Sequence, residues 1–186
     1  RGERGGDRER SGRVKDGKKT EQAAPFLAAA AAVAGGRKGE NAMGRRIYEH
    51  RAQYYETDQM GIIHHANYLH WFEEARIDLM DQMGMGYDVM EKQGIISPVL
   101  SVHCEYKSMV RFGETVQILV HLKEYNGIRM TMEYTVLDKE SGQLRCVGES
   151  RHCFLTRDGK PVSLKRNYIE MDRAFREYTQ QEESGT

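Results

Sequence analysis

The sequence predicts an α+β domain in which a curved antiparallel sheet wraps one long helix. Three features point to it: one stripe of helical period, a set of strands of period two behind it, and tight-turn residues between those strands. Tyr68, Trp71, Phe72, Ala75, Leu79 and Met83 recur at three- and four-residue spacing, so they share one face of a helix about five turns long. A sheet with one apolar face needs a cover, and this stripe is the only long element available.

The elements follow in order. Residues 47–55 have mixed strand character, and 57–61 read as a turn with Asp58 at its first position and Gly61 at its last. The helix begins near Ala66 and is stopped by Gly84 and Gly86. A short second helix is expected over 87–93, ending at Gly94. Residues 99–106 form the next strand, and the connector KSMVRFGE leads to 115–124, where Val116, Ile118, Val120 and Leu122 alternate with Gln117, His121 and Lys123. Asn126-Gly127 signals a hairpin because both residues tolerate positive φ. A strand over 129–137, the Ser141-Gly142 turn and a strand over 144–156 complete a predicted meander before the Asp158-Gly159 turn. A terminal helix is expected over 167–179. An uncovered outer strand leaves open backbone groups, which predicts pairing with a second copy as a homodimer or homotetramer.

The first 42 residues differ from the rest. They carry 10 Lys and Arg against 6 Asp and Glu, eight glycines and no methionine, whereas residues 43–186 hold 18 basic and 22 acidic side chains. The balanced total therefore hides an arm of about +4 on a body of about −4, and neither charge suggests a nucleic-acid partner. Residues 1–42 are expected to be a disordered basic, alanine-rich arm with too few large apolar groups to offset chain entropy, and residues 43–186 to form the domain. Met43 is the first methionine and reads as the natural start. The alternative is a signal peptide, with basic residues ahead of the apolar tract 23–34 and the triplet Ala32-Val33-Ala34. That tract is too short to span a bilayer, and no later segment approaches the length, so stable membrane insertion is not expected. Cys104, Cys146 and Cys153 read as free thiols in a reducing compartment, hence a cytoplasmic protein. No CxxC or Cys-His ligand spacing occurs, and His64 and His65, adjacent at a helical start, are expected to point apart, so no metal is predicted.

Asp58 lies close to the helix start. Alone it reads as a turn residue, Trp71 and Phe72 read as core, and Glu73 and Arg76, three apart, read as a local ion pair. Together, the residues Tyr55, Thr57, Asp58, Gly61, His65, Asn67, Tyr68, Trp71, Glu73, Ala75 and Arg76 at these spacings resemble the signature of the hotdog-fold acyl-CoA thioesterases, specifically the 4-hydroxybenzoyl-CoA thioesterase family and its YbgC-like branch. The resemblance covers about residues 46–175. It departs at Lys107, where the family often has proline after the second-strand tyrosine, and at Glu114 in place of aspartate.

The resemblance implies that Asp58 is the catalytic carboxylate and that His65 occupies the position of the YbgC-like histidine, a catalytic candidate whose side chain orients substrate or assists proton movement without being an obligate acid. A thioester carbonyl near the helix start would accept hydrogen bonds from the His65 or Ala66 backbone N–H. Asp58 either attacks that carbonyl or activates a water, and the sequence leaves both routes open. Gly61, Tyr68, Lys107 and Arg111 are expected against the acyl-CoA substrate, with Lys107, Arg111, Lys165 and Arg166 as the basic candidates for its phosphates. No cofactor is called for, since coenzyme A belongs to the substrate. The competing readings are hydrolysis of acyl-carrier-protein thioesters and a non-catalytic acyl-CoA-binding protein. A hydratase is disfavoured because no Asp-x-x-x-x-His arrangement begins at this turn.

Overall fold

Helix α1, Asn67–Gln82, forms where the stripe predicts it and buries Tyr68, Trp71, Phe72, Ala75, Leu79 and Met80. The computed structural model describes residues 39–41 and 44–184. Most of the expected arm, and Met43, lie outside the described residues. Within it, Gly39 accepts a hydrogen bond from the Ile47 amide at 2.9 Å, and Glu40 bridges Arg46.

Strands β1 (Tyr48–Arg51), β3 (Val99–Tyr106), β4 (Thr115–Tyr125), β5 (Arg129–Asp138) and β6 (Leu144–Cys153) form a five-stranded antiparallel sheet in the order β1-β4-β5-β6-β3. Directly opposed residues share a face, so the register places Ile118, Val136, Cys146 and Tyr106 in one row and Leu122, Met132, Ser150 and Val102 in another. This inner face meets α1. Phe72 stacks on Tyr134 with ring centroids 4.3 Å apart. The fit needs Gly148, where an added Cβ would lie 2.4 Å from the Phe72 ring.

Four expectations are corrected. The first strand ends at Arg51, and Tyr54–Glu56 form a 3-10 turn, because Ala52 and Gln53 leave the ladder: the Ala52 amide bonds to the Glu114 carbonyl. Residues 99–106 do not pair with 115–124 in a meander. The 107–114 connector instead carries the chain across the sheet, and β3 pairs with β6 at the outer edge. The predicted strand over 144–156 is broken at Phe154, after which β7 (Leu155–Thr156) pairs with β2 (Ile95–Ile96). The terminal helix is longer than expected and split into α3 (Leu164–Asn167) and α4 (Ile169–Ser184), while the short helix α2 spans Tyr87–Lys92.

Helix α4 closes the far end of the core. Phe175 stacks on Tyr125 at 4.8 Å, and the Tyr125 hydroxyl donates to Asp172 at 2.8 Å. No helix among the described residues is long and apolar enough to cross a membrane. Cys104, Cys146 and Cys153 are free thiols.

Candidate active site

Asp58 sits in a closed loop between the 3-10 turn and α1. Thr57 bridges Ile63, the Asp58 amide donates to the Ile62 carbonyl at 2.9 Å, and the Gly61 amide returns to the Asp58 carbonyl at 2.9 Å. Gly61 holds φ at 70°, a conformation side chains rarely adopt, so the predicted turn residue is the one the backbone requires. The half-buried Asp58 accepts the Met60 amide on Oδ1 at 2.8 Å, and its other oxygen has no partner among the described residues.

Three side chains fix this loop against the helix. The Asn67 amide group donates to the Glu56 carbonyl oxygen at 2.7 Å, and the His64 amide donates to the same oxygen at 2.9 Å. The buried Glu56 carboxylate accepts Trp71 Nε1 at 2.7 Å and the Gln53 amide at 2.7 Å, with His50 Nε2 3.0 Å away. Burial alone would raise the Glu56 pKa, but the bonds from Gln53, His50 and Trp71 outweigh it and hold the group below the ordinary carboxylate value. His50 in turn lies 3.5 Å from Glu74, which accepts the Tyr48 hydroxyl at 2.6 Å, so strand β1 and helix α1 are tied on the same side of the loop.

The helix start beside Asp58 lacks a side-chain cap. Ala66 occupies the N-cap, and no side chain there accepts an early amide. The Ala66 N–H makes a 3.3 Å bond to His64 Nδ1, and the His65 N–H has no partner among the described residues. The His64 and His65 rings lie together, with centroids 4.1 Å apart, against the expectation that they point apart. Both precede the first helical residue, so helical rotation does not separate them. His65 is exposed, and its carbonyl accepts the Tyr106 hydroxyl at 3.1 Å.

Among the described residues no cluster suited to a metal ion occurs. Tyr68 is buried, wedged between Trp71 at 4.7 Å and Tyr106 at 5.1 Å, and burial raises its pKa. The 107–114 connector backs the loop through a bond from the Ile63 amide to the Val110 carbonyl at 2.9 Å. Arg111 reaches the Gly61 carbonyl at 3.5 Å, while the Lys107 ammonium pairs with Glu105. Lys165 belongs to α3, packed at the Gly127 hairpin, and Arg166 follows it there. That hairpin lies at the Arg129 end of β5, whereas the 107–114 connector that backs the Asp58 loop enters β4 opposite Asp138, at the other end.

A sequence model of the thioesterase-like superfamily matches residues 53–177, which spans the loop, the helix and the whole sheet apart from β1. The chain belongs to that superfamily. A Bacillus subtilis protein named "Putative acyl-CoA thioesterase YneP" is 34% identical over 128 residues, covering 68% of this chain and 92% of the relative. The acyl-CoA thioesterase YbgC of Haemophilus influenzae is 24% identical over 104 residues, 52% of this chain and 76% of that protein. Among solved structures, the DHNA-CoA thioesterase of Staphylococcus aureus superposes with a TM-score of 0.71 at 34% identity, covering 75% of this chain and 94% of that one. The hotdog arrangement expected from the resemblance is therefore the fold of this chain.

In this thioesterase-like domain the sequence reading missed Glu56 and Tyr106. Glu56 is an acidic residue inside the quoted motif, but its role depends on Trp71, fifteen positions on, and on His50 in β1. Tyr106 reaches the helix start only because β3 lies at the sheet edge, and burial, then the nearby Cys104, pushes its phenol up to about 12.

Proposed function

We propose that this chain hydrolyses acyl-CoA thioesters to a free carboxylic acid and coenzyme A, with Asp58 as nucleophile or general base. One observation carries the reading: a carboxylate with one unpartnered oxygen sits in the closed loop that leads directly into an uncapped helix start, whose His65 amide is unpartnered among the described residues. The carboxylate supplies the attacking oxygen or takes the proton of a water, and the His65 amide, or the Ala66 amide on leaving His64 Nδ1, stabilises the charge on the carbonyl oxygen. In the direct route the C–S bond breaks, coenzyme A leaves as the thiolate, and water then cleaves the mixed anhydride on Asp58. The water route reaches the same products in one addition and collapse. Neither step uses a cofactor.

The His65 ring orients substrate. Gly61 and Tyr68 shape the entrance, and Arg111 and Lys107 face the phosphates, with Arg111 the nearer because it already contacts the loop. The outer strand β3 exposes Val99, Leu100, Val102 and Tyr106, and we assign this edge to a second copy in a homodimer or homotetramer. Free thiols fit a reducing, cytoplasmic setting.

Asp58→Asn is expected to lower thiol release from acyl-CoA by about 10³-fold or more while leaving fold and assembly size intact. Retention of most of the turnover would remove Asp58 from the mechanism. A single turnover in ¹⁸O-water tests the direct route: label in Asp58 marks nucleophilic attack with the anhydride opened at the Asp58 carbonyl, whereas label only in the product acid fits general base catalysis or an anhydride opened at the acyl carbonyl, and trapping of an acylated Asp58 by rapid quench then separates those two.

A further inference from the structure

Arg76 is 2% exposed and has no carboxylate within 4.0 Å among the described residues. The expected pair with Glu73 does not form, because Arg76 turns inward while Glu73 stays in solvent. Its guanidinium donates to the Tyr87 hydroxyl at 2.7 Å and lies 4.0 Å from the Met80 sulfur. Beside it the Tyr134 hydroxyl, Ser150 Oγ and His152 Nε2 form a chain with two links of 2.7 Å. His152 is 1% exposed, and burial, then the Arg76 charge, depresses its pKa to about 4. Among the described residues the buried Ser97 Oγ has no hydrogen-bond partner, and His152 Nδ1 lies near the Ser97 backbone without full hydrogen-bond geometry.

This cluster has a surplus of donors. A guanidinium carries five N–H groups; the Tyr87 hydroxyl and the Met80 sulfur accept from it and the Tyr134 hydroxyl lies in reach, which are neutral acceptors only, while the Tyr87 and Ser97 hydroxyls keep their own protons. An unpaired cation in the interior costs several kcal/mol unless an anion or strong acceptor meets it. The cluster is also one strand from the open edge: Ser150 lies directly opposite Val102, and His152 opposite Val99, which are 41% and 50% exposed. Tyr68, Phe72 and Arg76 follow one another at four-residue spacing along α1, so the cluster lies on the same stripe as Tyr68 at the helix start.

We propose that Arg76, Tyr87, Ser97 and His152 form a subsite for an oxygen acceptor, carboxylate or hydroxyl, carried at the far end of the acyl group. The assignment rests on the thioester-hydrolase reading and names its substrate class as oxygen-bearing acyl chains. Nine residues separate Arg76 from the helix start, about 14 Å along the axis. An extended chain covers about 1.2 Å per bond, so roughly a dozen bonds reach from thioester to guanidinium.

The test uses three CoA thioesters of that length, ending in methyl, hydroxyl and carboxylate. The wild-type full chain is expected to prefer at least one oxygenated substrate over the methyl one by about 10-fold or more in kcat/KM. The carboxylate and hydroxyl arms tell which oxygen the site takes. Arg76→Met levels the three by slowing the oxygenated ones alone, and Arg76→Lys keeps part of a carboxylate preference. Tyr87→Phe, which leaves the cation in place, lowers the preference as well and stands in if Arg76→Met does not fold. A wild type that turns over all three equally overturns the subsite and leaves the hydrolase reading standing, whereas inactivity on all three removes both. Equal loss on every substrate in the variants, or a changed assembly size at unchanged selectivity, assigns Arg76 to structure or to a second copy and overturns the proposal.

Discussion

The two ends of one stripe on α1 treat charge in opposite ways. At the helix start the buried carboxylate, Glu56, is fully engaged by Gln53, His50 and Trp71, and its neighbour Asp58 keeps an oxygen open toward solvent. Two turns further on, the buried charge is Arg76, and it lacks a carboxylate partner among the described residues. On the two proposals above, the difference separates the residues that hold the loop from those assigned to the substrate.

The largest effect expected is the loss on Asp58→Asn already given, which tests the open end directly. The closed end is sharpened by acid. His152 has a folded-state pKa of about 4 against an ordinary 6.5, so between those values the unfolded chain holds the extra proton. Stability is therefore level above pH 6.5 and falls as pH drops toward 4, by about 3 kcal/mol if His152 acts alone. Thermal unfolding followed from pH 7.5 to 4.5 measures the fall, and His152→Asn should flatten it. A slope unchanged in that variant would show that other groups dominate.

Next comes Glu56→Gln, which keeps the shape but removes the charge that receives three donors. The Asp58 loop shifts, and kcat is expected to fall about 100-fold with little change in KM, since misplacement by about 1 Å has that effect. An equal fall in thermal stability without a change in kcat would make Glu56 a packing residue only. The smallest effect is Tyr106→Phe, which deletes the bond to the His65 carbonyl. A loss of about 1 kcal/mol in kcat/KM is expected at the Asp58 end, with no change in the selectivity proposed for Arg76.

The parts of this fold that were legible in the sequence are those written in local period. The alternation from Val116 to Val136 and the stripe from Tyr68 to Met83 each repeat within a few residues, and both appear as expected. Asp58 and Gly61 were legible because a turn confines its own hydrogen bonds to a short span. Long-range partnership was not legible. The place of Val99–Tyr106 at the outer edge depends on where the 107–114 connector crosses, and no tight turn marks that choice. Arg76 misled because a helix always offers a neighbour three positions away, and Glu73 is a plausible one by spacing. Its burial is decided by Tyr87, Tyr134 and His152, which belong to three other elements.

The sheet order also sets a timetable for synthesis. Strand β3 leaves the ribosome before β6, its partner in the sheet, and the first residue of β6 lies 38 positions after the last of β3. At about 5–20 residues per second the wait lasts roughly 2–8 s. Through that interval Val99, Leu100 and Val102 form a β-prone apolar segment with no ladder on either side. Helix α4, whose Phe175 and Tyr178 complete the core, arrives later still. The nascent chain is thus most open to capture by a neighbour, or by a holding chaperone, while β4 and β5 are already paired and the edge strand is not.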